Sequence, residues 1–159
     1  MHRFKGRRAL VTASGAGLGR GVALRLAREG ASVCLWDRDA ELLAEAAVEA
    51  AEEDLVVATQ VVDMTDAGAI EAAARQVERD LGGLDVLVNN IGGSLHTPFR
   101  FLEQSDEDWE RVMAVNVTAC VRTTRALLPG MVQRGYGRVI NMGSKAGRFG
   151  SLFAGANYV

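Results

Sequence analysis

At 159 residues and a formal net charge of −2, the chain is the size of one domain and lacks the basic surplus that nucleic-acid binding draws on. Hydrophobic residues at 48% and charged residues at 24% exclude a disordered chain and fit an ordinary globular one. No apolar run approaches the ~18 residues of a membrane span, so neither a nucleic-acid nor a membrane partner is expected. The basic group Arg3, Lys5, Arg7 and Arg8 reads as a solvated lead-in to the first strand, and no signal-peptide core follows it. The two cysteines, Cys34 and Cys120, sit in apolar strand and helix patterns, forming neither a disulfide framework nor a metal motif. They read as buried free thiols in a reducing, cytoplasmic setting.

In chain order, short β-branched runs alternate with longer helical patterns. Residues 9–12 read as a strand that enters the glycine-rich turn Gly15-Ala16-Gly17-Leu18-Gly19. A helix follows over 18–29 and stops at Gly30. Residues 32–36 are the second strand. The next helix has Ala40, Leu43, Ala44, Ala47, Val48 and Ala51 as its predicted inner face. A third strand over 55–62 precedes a helix with Ile70, Ala73, Ala74, Val77 and Leu81 inward, ended by Gly82-Gly83. The fourth strand, 84–88, is apolar throughout, as a strand covered on both faces should be. After a Gly-, Ser- and Thr-containing loop, Ser105 caps a long helix with Asp106, Glu107 and Asp108 in its first turn. The predicted inner face is Trp109, Val112, Met113, Asn116, Val117, Cys120 and Thr124, and Pro129 is expected to kink or end the helix near Leu128. The fifth strand is 138–142, and a loop runs from Gly143 onward. Alternation of this kind predicts a doubly wound parallel sheet in a three-layer α/β/α arrangement.

Ligands of such sheets bind at the carboxyl ends of the strands, which makes the residues there the informative ones. The glycine turn lets a backbone approach a pyrophosphate, and the helix start aims unpaired N–H groups at it. Asp37 ends the second strand, twenty positions after Gly17, where a carboxylate accepts hydrogen bonds from a ribose and repels a 2′-phosphate. Asp63, Asn89-Asn90 and Gly143-Ser144 end the third, fourth and fifth strands. Each also has an ordinary role open to it in a turn or cap. Asn116, flanked by two valines, costs a mid-helix position ~0.5 kcal/mol relative to Ala.

In this order the stretches resemble the short-chain dehydrogenase/reductase family over essentially the whole chain. Thr12-Ala13-Ser14-Gly15-Ala16-Gly17-Leu18-Gly19 is similar to the family's glycine motif, with Ala13 where Gly is usual, a methyl that fits if Ala13 keeps negative φ. The resemblance implies a Rossmann-like fold and cofactor contacts from Thr12, Ser14, Gly15, Gly17, Leu18 and Gly19. It implies that Asp37 favours NAD over NADP, with Arg38 softening the preference, and that Asp63 and Met64 meet the adenine. Asn89-Asn90-Ile91-Gly92 is similar to the family's Asn-Asn-Ala-Gly motif and adds Asn90 and Gly92 to the cofactor set. Asn116, Ser144 and Tyr158 match the catalytic positions, with Tyr158 as acid/base, Ser144 donating to the substrate oxygen and Asn116 anchoring a proton-relay water. The interval from Ser144 to Tyr158 is about one residue longer than is commonest.

The implied activity is NAD(P)-dependent interconversion of a secondary alcohol and a carbonyl, acting on a small molecule, in a homodimer or homotetramer. Carbonyl reduction needs an acid for the developing alkoxide, and a tyrosine, whose free value is ~10, must be acidified to return as a base near neutrality. The family's lysine four places after the tyrosine falls beyond Val159. The 159 residues therefore read as one NAD(P)-binding domain, the N-terminal part of a longer one whose C-terminal strands and helices are missing. By itself this chain is expected to be inactive, with an uncovered apolar edge at the fifth strand. The competing reading is a non-catalytic dinucleotide-binding chain, separated from the first by that lysine. A methyl-donor or nucleotide transferase on a similar sheet is counted against by Asn116, Ser144 and Tyr158. His96 reads as a solvated loop histidine, with substrate contact as the alternative, and Arg148 and Phe149 are candidate pocket residues.

Overall fold

The structure, a computed structural model, describes residues 2–144. Strands β1 (Arg8–Thr12), β2 (Ser32–Asp37), β3 (Val57–Val61), β4 (Val86–Asn89) and β5 (Arg138–Asn141) alternate with helices α1 (Gly17–Arg28), α2 (Ala40–Glu52), α3 (Ala67–Leu81) and the consecutive pair α4 (Asp106–Met113) and α5 (Ala119–Gln133). Every pairing among the described residues is parallel, and the strand order is β3-β2-β1-β4-β5. The chain winds away from β1 in one direction through β3, then returns to its other side with β4. A crevice therefore opens between the carboxyl ends of β1 and β4, where such sheets take ligands.

Strand alternation sorts the core into two layers. Leu10, Cys34, Trp36 and Leu87 face one way and pack on Ile70, Ala74 and Val77 of α3 and on Ala119, Leu127 and Met131 of α5. Ala9, Val11, Leu35 and Val88 face the other way, against Ala23, Leu26 and Ala27 of α1 and Leu43 and Ala46 of α2. Leu10 lies beside both Cys34 and Leu87, which sets the register of the three central strands. Each fully buried Leu or Val contributes roughly 1.5–3 kcal/mol, so these strands are apolar on both faces. The expected three-layer doubly wound sheet is present. At the amino end, Arg8 grips Asp85 through Nε at 3.0 Å and Nη2 at 2.8 Å, fastening β1 to β4. Those hydrogen bonds hold the Asp85 carboxyl below the usual carboxylate range.

Several local expectations are corrected. α2 buries Leu43, Ala46 and Ala50, whereas Ala44, Val48 and Ala51 are exposed; alanines on every side of this helix leave the period without contrast. β3 is shorter than expected because the Leu55 N–H still bonds the Ala50 carbonyl, closing α2. Pro129 does not end its helix, which runs on through Gln133. Between α4 and α5 lies a π-helical turn, Ala114–Thr118, around Asn116. Of the predicted inner face, Val112 is buried while Met113 and Val117 are exposed; the buried line continues through Ala119, Thr123, Leu127 and Met131. Cys34 is buried, its thiol pushed up to about 12 by burial. Cys120 is only half-buried, and its Sγ donates to Asn141 Oδ1 at 3.3 Å.

Candidate active site

The glycine turn is held by backbone geometry that its sequence explains. Gly17 has φ +57°, a left-handed conformation open to glycine at little cost. A Cβ on Gly19 would lie 2.2 Å from the Ala13 carbonyl oxygen and 2.6 Å from Asn90 Nδ2, so only glycine lets α1 start this close to β1. Ala13 itself has φ +50°. The negative φ on which the fit of this methyl was conditional is not present, because the turn demands a left-handed residue at this place whichever side chain occupies it. α1 begins at Ala16 without a side-chain cap and without an acid in its first turn, whereas Asp39, Asp66 and Ser105 cap α2, α3 and α4. Its leading N–H groups thus keep their affinity for an anion. Leu18, 75% exposed, lies in the first turn of α1.

Several candidate side chains brace the site from within. The buried Thr12 hydroxyl accepts from the N–H groups of Asn90 (3.0 Å) and Ile91 (3.2 Å). Asn90 Nδ2 donates to the carbonyls of Thr12 and Ala13 at 3.2 and 3.0 Å. Ser14 is fully buried and donates to the Val11 carbonyl at 2.8 Å. These contacts, with the Ser14 hydroxyl also 3.3 Å from the Trp36 carbonyl, tie the ends of β1, β2 and β4 together. Asp37 Oδ2 accepts from the Gly15 N–H at 2.9 Å and Oδ1 from the Asp39 N–H at 3.1 Å. The carboxylate at the end of β2 is thereby aimed at the glycine turn, with lone pairs left for a diol.

Beside Asp37 is a cleft of about 160 Å³ at the carboxyl ends of β2, β3 and β4. Its polar edge carries Asp37, Arg38, Asp63 and Thr65, and its apolar lining includes Met64 and Val115. Asp63 makes a turn of its own, accepting from Thr65 N–H at 2.9 Å and Thr65 Oγ1 at 2.6 Å. Those hydrogen bonds hold its carboxyl below the usual range, and the carboxylate remains anionic at neutral pH. An apolar slot with an anionic edge suits a flat heterocycle carrying amino donors. The cleft and the uncapped glycine turn together fit the two ends of an adenosine diphosphate group. Sequence reasoning named Asp37, Asp63, Met64 and Gly92 of this lining but missed Val62, Thr65, Leu95 and Val115. Val115 adjoins Asn116 in the sequence, the one signal that pointed toward it.

Asn116 faces the same crevice. Its Oδ1 accepts from the Gly93 N–H at 2.8 Å, and its Nδ2 donates to the Gly93 carbonyl at 3.1 Å. A Cβ on Gly92 would sit 2.8 Å from Asn116 Oδ1, which explains glycine there. The π-helical turn presents this side chain to the β4 loop, and such turns gather at functional sites. Nearby, Asn89 Nδ2 donates to Thr124 Oγ1 and to Asn141 Oδ1 at 3.0 and 2.9 Å, fixing the end of β5 against β4 and α5. Ser144, exposed, follows three residues after Asn141 on the same edge. Tyr158, Arg148 and Phe149 lie outside the described residues. His96 is exposed. No helix of the described residues is long and apolar enough to cross a membrane, and none of their His, Cys, Asp and Glu side chains cluster as metal ligands.

Residues 7–159 match the family model described as short chain dehydrogenase. A D-beta-hydroxybutyrate dehydrogenase of Cupriavidus necator is 38% identical over 147 residues, covering 91% of this chain and 55% of that protein. A 2-keto-3-deoxy-L-fuconate dehydrogenase of Xanthomonas campestris pv. campestris is 43% identical over 144 residues, covering 91% of this chain and 45% of that protein. Among solved structures, NAD+-bound xylitol dehydrogenase aligns with a TM-score of 0.92 at 32% identity, over 98% of this chain and 60% of that one. The chain thus spans about half the length of the curated relatives it matches.

Proposed function

The chain belongs to the short chain dehydrogenase family, and from that premise we propose that it forms the NAD-binding part of an enzyme interconverting a secondary alcohol and a carbonyl. The observation that carries this reading is the crevice at the strand-order reversal, where an uncapped, glycine-opened helix start adjoins a cleft edged by Asp37 and Asp63. Bound NAD supplies the hydride acceptor. The N–H groups at the start of α1, with Gly15, Gly17, Leu18 and Gly19 beside them, take the pyrophosphate. Asp37 accepts from the ribose hydroxyls and repels a 2′-phosphate, which favours NAD over NADP. Asp63 and Met64 receive the adenine, and Gly92 lies on the same lining. Thr12, Ser14 and Asn90 act on the cofactor by bracing the turn.

In the same reading, Tyr158 gives a proton to the alkoxide oxygen in reduction and removes it in oxidation, while Ser144 donates a hydrogen bond to that oxygen. Asn116, clamped on Gly93, keeps the β4 loop and the π-helical turn in register beside the reacting atoms. The substrate is a small alcohol or carbonyl compound, and the setting is the cytoplasm. A second copy of the chain is the proposed partner, supported by the exposed line Met113, Val117, Val121, Leu128 and Val132 along α4 and α5. The test is NADH formation from a panel of secondary alcohols by the whole enzyme of which this chain is part, unaltered and carrying Tyr158→Phe or Ser144→Ala. Turnover that falls at least ~100-fold in Tyr158→Phe, with NADH affinity retained, is the expected result. Equal turnover in Tyr158→Phe contradicts the acid/base role.

A further inference from the structure

The loop after β4 contains a turn that its sequence does not favour. The Thr97 N–H and the Thr97 hydroxyl both bond the Ser94 carbonyl, at 3.1 and 2.9 Å. The two residues between, Leu95 and His96, have φ +53° and +57°. Two consecutive left-handed residues are the signature of a type I′ turn, for which Asn-Gly is the favoured pair. Leucine is disfavoured in this conformation relative to glycine, and histidine somewhat less so. Backbone strain that persists is often tied to function, so what each side chain touches is informative.

The two residues differ in this respect. Leu95 is half-buried and lines the same cleft as Ile91, Val115, Met64, Asp37 and Asp63. His96 is exposed and does not line that cleft. The loop 92–97 is anchored at its near end by the Asn116 clamp on Gly93. The strained turn therefore places a leucine on the lining of the cleft, which Ser94, His96 and Thr97 of the same turn do not join.

We propose that Leu95, held in place by the strained turn 94–97, is an affinity-determining residue for the adenine end of the dinucleotide. This rests on the dinucleotide reading above and extends it to a residue of the β4 loop. A flat base entering the cleft exchanges water for the Leu95 side chain on one side, so truncation removes apolar contact made only when the base is bound. His96 carries the same backbone conformation without the contact, which makes it the internal control.

The experiment is fluorescence titration with NADH and competition by 5′-AMP, on the unaltered protein and on Leu95→Ala, Leu95→Gly, Leu95→Met and His96→Gly. Thermal unfolding of each variant checks that it is folded. Leu95→Ala and Leu95→Gly should weaken NADH and 5′-AMP alike, by about 5- to 10-fold, an effect the size expected for a lost apolar contact. Leu95→Met should restore affinity to within about twofold, because it returns the apolar volume. His96→Gly should raise the melting temperature and leave both affinities unchanged. Unchanged affinities in folded Leu95→Ala and Leu95→Gly overturn the proposal while leaving the dinucleotide reading intact. Loss of NADH affinity with 5′-AMP unaffected also overturns it, since the side chain would then act elsewhere on the cofactor. Failure of the unaltered protein to bind either probe overturns the dinucleotide reading itself, and the role of Leu95 with it.

Discussion

Ala13 shows how one residue's conformation is set by its neighbours. Its carbonyl takes the Asn90 amide at 3.0 Å and stands where a Gly19 side chain would have to go. The first turn of α1 and the end of β4 thus hold the backbone at φ +50° against the preference of a methyl-bearing residue. The cost of that conformation is roughly 1–2 kcal/mol, partly offset by the contact of the Ala13 methyl with the core beside it. Ala13→Gly is expected to raise stability by about 0.5–1 kcal/mol and to leave NADH affinity within about twofold. Urea unfolding read beside an NADH titration checks both; a loss of stability would mean that the methyl contact outweighs the strain. At this scale the sequence was legible wherever a polar residue ended an apolar strand, as at Asp37, Asp63 and Asn90. The sign of φ at Ala13 was not, since it depends on segments far away in the chain. Leu95 and Val115 escaped notice because an apolar residue lining a cleft is indistinguishable, in one sequence, from an apolar residue in the core.

Among the elements, strands were easier to read than helix faces. Continuous apolar runs marked β1, β2 and β4, and glycines marked the ends of α1 and α3. α2 lost its period in alanines. The long segment through α4 and α5 carries a π-helical turn, which the even spacing of its apolar residues conceals. Pro129 lies inside α5, where it lacks an N–H to return to the preceding turn. The helix persists because Leu127 and Met131, on either side of it, are buried against the sheet and α3. Pro129→Ala restores the missing donor and should stabilise the protein by about 1 kcal/mol, less than the ~3 kcal/mol of an unadapted helix interior. Thermal unfolding would register this as a rise of about 2–4 °C; a fall would show that the proline ring itself is needed for packing.

For the whole molecule, the order β3-β2-β1-β4-β5 brings the glycine turn, Asp37, Asp63, the Asn116 clamp and Ser144 to one edge of the sheet from five separate stretches of chain. The alternating pattern made this architecture legible, and the strand-end rule pointed to the candidate site. Among the described residues β5 forms one edge of the sheet, with Val139 and Ile140 exposed. We propose that the carboxyl ends of the strands bind NAD through Asp37. This is tested most directly by titrating NADH and NADPH into the unaltered protein and into Asp37→Ala. Tighter binding of NADH than of NADPH is expected for the unaltered protein. Asp37→Ala should lose about tenfold in NADH affinity, the worth of one charged hydrogen bond, and gain for NADPH. A ratio of the two affinities that is the same in both proteins would contradict it.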